Sequence, residues 1–134
     1  MWDLNVEGAF GRAFEESARW SGFGRVRGGV TFINESDLMS PTLITLGLTY
    51  ELSDLSPATV GFQGEILSIG SGMWTQIGTF VDLAQVRPGF MASMGISILG
   101  AEVQLRGDDD QSAYWALYGK LRLPLSLIIF GLGD

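Results

Sequence analysis

The sequence predicts an all-β protein: an antiparallel up-and-down meander closed into a barrel of about eight strands, forming a single domain over residues 1–134. Three observations lead there. Apolar and polar residues alternate with period two through nearly the whole chain, as the side chains of a strand do when one face is apolar and the other polar. The alternating runs are separated by short breaks rich in Gly, Pro, Asp and Ser. No segment repeats its apolar residues at helical spacing.

The first strand is the cleanest. In "WDLNVEGAFGRAF" (2–14), Trp2, Leu4, Val6, Gly8, Phe10 and Phe14 oppose Asp3, Asn5, Glu7, Ala9, Gly11 and Ala13. "EESARWSG" then breaks the pattern before 23–33, where Val26, Val30 and Phe32 oppose Arg25, Arg27 and Thr31. "NESDLMSP" precedes 42–52, with Ile44, Leu46, Leu48, Tyr50 and Leu52 against Thr45, Thr49 and Glu51. "SDLSP" leads into 58–68, with Val60, Phe62 and Ile66 against Thr59, Gln63 and Glu65. "GSG" at 70–72 is a tight turn, and 73–83 sets Met73, Ile77 and Val81 against Trp74, Gln76, Phe80 and Asp82. Phe90 to Ile98 continues the alternation, but the parity then flips, because Ala101, Val103 and Leu105 oppose Glu102, Gln104 and Arg106. A flip requires a bulge or a hairpin near Leu99-Gly100, and strand length favours the hairpin. After the turn "GDDDQS", Trp115, Leu117, Leu121 and Leu123 oppose Tyr118, Lys120 and Arg122. Beyond Pro124, "LSLIIFGL" is apolar on both faces, and the pattern assigns it no role.

Charged residues make up only 17% of the chain, and Lys120 is the one lysine, a poor coat for a water-facing sheet. No stretch is long and apolar enough for a transmembrane helix. Met1 runs straight into a strand with no basic or apolar leader, so the chain either stays in the cytoplasm or has lost a signal peptide. The net charge of −7 speaks against nucleic acid as a partner. There is no cysteine, hence no disulfide frame, and the sequence implies no cofactor.

The charges sort by position. Polar strand faces carry six acids, Asp3, Glu7, Glu51, Glu65, Asp82 and Glu102, and six bases, Arg25, Arg27, Arg87, Arg106, Lys120 and Arg122. The other nine acids lie in links or at the terminus, offset only by Arg12 and Arg19. An enclosed polar lumen requires such a balance, because an unpaired buried charge is costly. Ordinary cross-strand pairing on a wet face is the alternative. The lumen reading selects Glu7, Arg25, Arg27, Glu51, Glu65, Arg87, Glu102, Arg106, Lys120 and Arg122 as a structural charge network. Small residues on the same faces (Ala9, Gly11, Gly29, Gly47, Gly61, Gly78, Ser93, Gly95) give the long Arg and Glu side chains room to fold over them.

Aromatics gather near the two sets of strand ends: Trp20, Phe23, Tyr50, Tyr114 and Trp115 at one, Trp2, Phe32 and Trp74 at the other, as in the belts of a bilayer-spanning barrel. Arg12 is the one charge on the apolar face of the first strand, placed to reach lipid phosphate or to pair with Glu15 or Glu16.

Strands of about ten residues, apolar outside and charged inside, resemble the small outer-membrane barrels of the OmpA/OmpX kind over residues 2–123. The resemblance implies a bacterial outer-membrane location, with lipid or detergent as the partner. The chain differs in ending "IIFGLGD" instead of on an aromatic residue, and in having only short links.

Without histidine, Ser-His catalysis and imidazole metal sites are excluded. Glu51 and Glu65, on neighbouring strands, are a candidate carboxylate pair, for which lumen salt bridging is the expected fate. Asp108-Asp109-Asp110 lacks the spacing of a calcium loop and reads as a solvated turn. Three non-enzymatic readings follow: a membrane barrel with a plugged lumen, a subunit whose apolar faces are buried between copies of itself, and a soluble calyx with an apolar interior for a lipid-like ligand.

Overall fold

A computed structural model describes residues 2–14, 18–34, 41–53, 58–83, 86–107 and 113–124. Eight strands run in chain order: β1 (Trp2–Phe14), β2 (Ala18–Asn34), β3 (Thr42–Ser53), β4 (Thr59–Ser68), β5 (Met73–Asp82), β6 (Arg87–Ile96), β7 (Leu99–Gly107) and β8 (Ala113–Pro124). Each pairs antiparallel with the next, and β8 pairs back onto β1, closing a meander barrel with no free edge.

The register fixes the slant of the strands. Glu7 faces Arg25, then Glu51, Thr59, Asp82 and Arg87 across successive ladders. Two residues on, Gly89 faces Arg106, Arg106 faces Tyr114, and one further on, Trp115 faces Phe14. One circuit therefore staggers the ladder by about ten residues, which for eight strands corresponds to a tilt of about 40°. At that tilt the thirteen residues of β1 span roughly 30 Å along the barrel axis.

Strand parity decides which side chain is enclosed, and it follows the sequence pattern closely. Two boundaries differ from expectation. β2 begins at Ala18, so part of "EESARWSG" belongs to the strand, pairing Ala18 with Phe14 and Gly22 with Phe10. Ser21, Gly22 and Gly24 supply too little polarity contrast for the alternation to show there. The parity flip is a hairpin, as strand length suggests, but its turn is Ser97-Ile98, with Ile96 facing Leu99. Ser97 takes a positive φ of 58° at the first central position of this two-residue turn. Its carbonyl accepts a hydrogen bond from Trp74 Nε1 at 2.8 Å. The "GSG" turn is present, closed by Gly72 N donating to Ser68 O at 2.8 Å, with Gly72 at φ 74°.

Two apolar clusters occupy the ends of the barrel interior. Ala13, Phe23, Ala116 and Tyr118 pack together toward the rim where β1 ends. Leu43, Leu67 and Trp74 pack together toward the rim where β1 begins. Between them the interior is charged.

Candidate functional site

The lumen collects the predicted charges. Asp3, Glu7, Glu51, Glu65, Asp82 and Glu102 are buried, as are Arg25, Arg27, Arg106, Lys120 and Arg122. Their parity points them inward, and closure of the sheet brings together residues from strands that share no ladder. The result is two clusters, each with equal numbers of acids and bases.

In the first, Arg25 is the hub. Its guanidinium reaches Glu7 at 3.2 Å, Glu51 at 2.6 Å and Glu102 at 2.7 Å. Glu7 and Glu51 flank Arg25 in the same cross-strand row, whereas Glu102 lies across the lumen on β7. Arg106 Nη2 binds Glu51 at 2.6 Å, and Lys120 Nζ reaches Glu102 at 3.0 Å. Lys120 Nζ also lies 2.6 Å from Glu7 Oε2, a charge contact whose angles are not those of a hydrogen bond. Three carboxylates thus face three cations. Gln104 donates to Glu102 at 2.6 Å and accepts from Arg106 at 2.8 Å.

In the second cluster, Arg27 binds Asp3 at 2.7 Å and Glu65 at 3.4 Å. Arg122 grips Glu65 through two parallel hydrogen bonds of 2.6 Å each, the bidentate arrangement that planar guanidinium favours. Gln76 joins the clusters: it donates to Glu65 at 2.7 Å, and its oxygen accepts from Lys120 and from Ser93. Arg87 stands at the rim, half-buried and opposite Asp82 in the β5–β6 ladder. The structure therefore brings nine of the ten selected residues into the two clusters and places Arg87 apart.

Aromatic faces back the cations at both ends. Arg25 lies 4.5 Å over Phe23, Arg106 lies 4.8 Å over Phe80, and Trp74 faces Lys120 at 5.2 Å and Arg122 at 5.5 Å. This corrects the belt assignment. Phe23 and Trp74 are buried in the lumen, and Tyr114 is half-buried against the Phe23 cluster. They stop the ends of the barrel because their parity is that of the charges. The role expected of the small residues also needs refining. Arg27 does lie over Gly47, where an added methyl group would come within 2.8 Å of its Cγ. At Gly95 and Gly100, however, the space is taken by the Trp74 ring, and at Gly89 by Phe80. Residue volume in the lumen is shared between ion pairs and aromatics.

Glu51 and Glu65 do not form a carboxylate pair, because each is bound by different arginines in a different cluster. The charge network selected from the sequence leaves out Gln76 and Gln104, whose only signal was their inward parity, and Ser93, expected only to give room, bonds to Gln76 and Lys120. Asn5 and Gln63 are fully enclosed, and their side-chain amides have no hydrogen-bond partner among the described residues. Gln63 borders a void of about 10 Å³ beside Thr49 and Glu51, room for a single water.

The outer wall is the converse. Trp2, Phe10, Leu48, Ile77, Phe90, Met94, Leu117 and many similar side chains are exposed around the whole circumference. Among the described strand residues, Arg12 is the only charged group on this face. Its guanidinium lies 4.8 Å over the Trp20 ring, which itself stacks on Phe10 at 5.3 Å. Glu15 and Glu16, its expected partners in a soluble protein, lie outside the described residues, as do Asp108-Asp109-Asp110 and the segment 125–134. No group of acidic side chains among the described residues is arranged to hold a metal ion.

The chain matches no known protein family, no characterised protein and no solved structure.

Proposed function

We propose that the protein is an integral outer-membrane β-barrel of the small OmpA/OmpX kind, with a plugged polar lumen and a structural or surface role instead of a catalytic one. The observation that carries this reading is the outer wall. A soluble monomer rarely exposes a contiguous apolar patch of more than a few hundred Å². Here apolar side chains are exposed on every strand, with Leu48 70% and Ile77 65% accessible at mid-strand. Lipid satisfies such a wall, and a closed barrel leaves no strand edge unpaired within it.

Two further features support the reading. The span of roughly 30 Å along the axis matches the hydrocarbon core of a bilayer. The interior favours the membrane barrel over a calyx, since ion pairs fill the space an apolar ligand would need. The non-catalytic reading draws on the absence of histidine from the sequence and on the engagement of the lumen carboxylates by arginine and lysine.

Size measurement in nonionic detergent and in plain buffer tests the proposal. A folded monomer obtained only in micelles is the expected result. A detergent-free particle of defined stoichiometry assigns the wall to contacts between copies, and a soluble monomer overturns the membrane reading.

A further inference from the structure

Arg12 lies where a charge is least expected, and its surroundings are specific. It is two residues from the end of β1, on the outward face. Its guanidinium is stacked on Trp20, and Trp20 on Phe10 with an interplanar angle of only 4°. Stacking on the electron-rich face of an indole orients the guanidinium while leaving its N–H edge free to donate. Among the described residues no carboxylate pairs with that edge.

Directly along the strand from Phe10, the wall opens into a groove of about 450 Å³. Gly8 and Gly119 form its floor, and Phe10, Leu99 and Leu121 form its sides. The cross-strand row Gly8–Leu121–Leu99 carries it from β1 over β8 to β7. Because the strands are staggered, this course descends from the Arg12 end of the barrel toward the opposite rim. Gly8 lies four residues from Arg12, on the order of 13 Å of strand. A Cβ at Gly8 would meet nothing within 4 Å, so the floor is open to an occupant from outside.

Arg12 does not line the groove but lies beyond Phe10 on the same face, with no carboxylate partner among the described residues. A cation placed so above an apolar groove matches one chemistry, an anionic headgroup above a hydrocarbon chain. We infer that the β1–β8 face of the barrel binds a single phospholipid, its phosphate held by Arg12 against Trp20 and one acyl chain lying in the groove over Gly8 and Gly119. Guanidinium recognises phosphate through paired hydrogen bonds, which a desolvated interfacial position strengthens. The inference rests on the membrane reading and adds to it a specific lipid site.

The experiment counts the lipid retained by the detergent-purified full chain by native mass spectrometry, after exposure to phosphatidylglycerol. Diacylglycerol with the same chains and inorganic phosphate serve as separate competitors. Wild type is expected to retain one phosphatidylglycerol, and neither competitor is expected to displace it. Arg12→Gln is expected to weaken retention about tenfold, the size of one charge-assisted hydrogen bond. Gly8→Leu, which fills the groove from its open side, is expected to weaken it similarly. Gly28→Leu adds the same bulk at an equally open position on β2, opposite Leu4 and away from the groove, and is expected to leave retention unchanged. Equal retention in all four proteins overturns the site. Displacement by inorganic phosphate, or loss with Arg12→Gln but not with Gly8→Leu, reduces it to an anion contact and overturns the lipid assignment. A wild type that is monodisperse without detergent overturns the membrane reading and this site together.

Discussion

Arg25 shows what a single side chain does in this lumen. It is bound to Glu7, Glu51 and Glu102 at once, from three different strands. Arg25→Met leaves those carboxylates facing only Arg106 and Lys120, and stranding buried charge is far costlier than removing a whole pair. A loss of about 3–5 kcal/mol is expected for the single change, read by urea titration of the protein folded in lipid or micelles. Glu7→Gln in the Arg25→Met background is expected to cost much less than it does alone, because it removes one of three carboxylates left with only two cations and so restores the balance of the cluster. Additive losses would mean that the groups are merely solvated. The identity of these residues was legible from inward parity and charge balance. Their partners were not, because Glu102 meets Arg25 only after the sheet closes, and closure depends on a stagger summed over eight ladders.

The hairpin β6–β7 and strand β5 form a unit organised by Trp74. The indole is 2% exposed, lies over Gly95 and Gly100, and ties down the Ser97 turn through its N–H. Trp74→Ala is expected to cost about 3–5 kcal/mol through the cavity it leaves. Trp74→Phe keeps much of the packing and is expected to cost less, with about 1 kcal/mol of it from the lost hydrogen bond. Thermal or urea unfolding of the two variants checks the order, and equal losses would contradict it. The parity of Trp74 was visible in the sequence. Its role was not, because an aromatic residue near a strand end suits both a lipid interface and an interior stopper. Only the glycines at 95 and 100, side by side across the β6–β7 ladder, favour the interior. On the opposite face, Leu48→Arg places a charge at the middle of the outer wall of β3. In bilayers it is expected to destabilise by about 2–4 kcal/mol. A soluble protein would accept that change with little loss, so a near-neutral result would count against lipid contact.

At the scale of the whole molecule, two neutral charge clusters lie between two apolar stoppers inside a closed apolar cylinder. The lumen voids beside Gln63 and at the Arg106 rim have volumes of about 10 and about 20 Å³, enough for isolated waters but not for a water column. No steady conductance is therefore expected in planar bilayers, and a reproducible single-channel current at wild-type sequence would contradict the plugged lumen. The barrel itself was legible because period-two alternation and short links leave few alternatives to a meander. The direction of its faces was not legible, since alternation reads the same inside out. The absence of cysteine allows the outer wall to be probed one position at a time. The most direct test attaches a nitroxide at single cysteines replacing Leu48, Ile77, Met94 and Leu117, on four strands around the barrel, in protein reconstituted in bilayers. Relaxation by oxygen, which concentrates in hydrocarbon, is expected to exceed relaxation by a water-soluble nickel complex at all four positions. Dominance of the nickel complex at these positions, or shielding from both reagents, would contradict a lipid-facing wall.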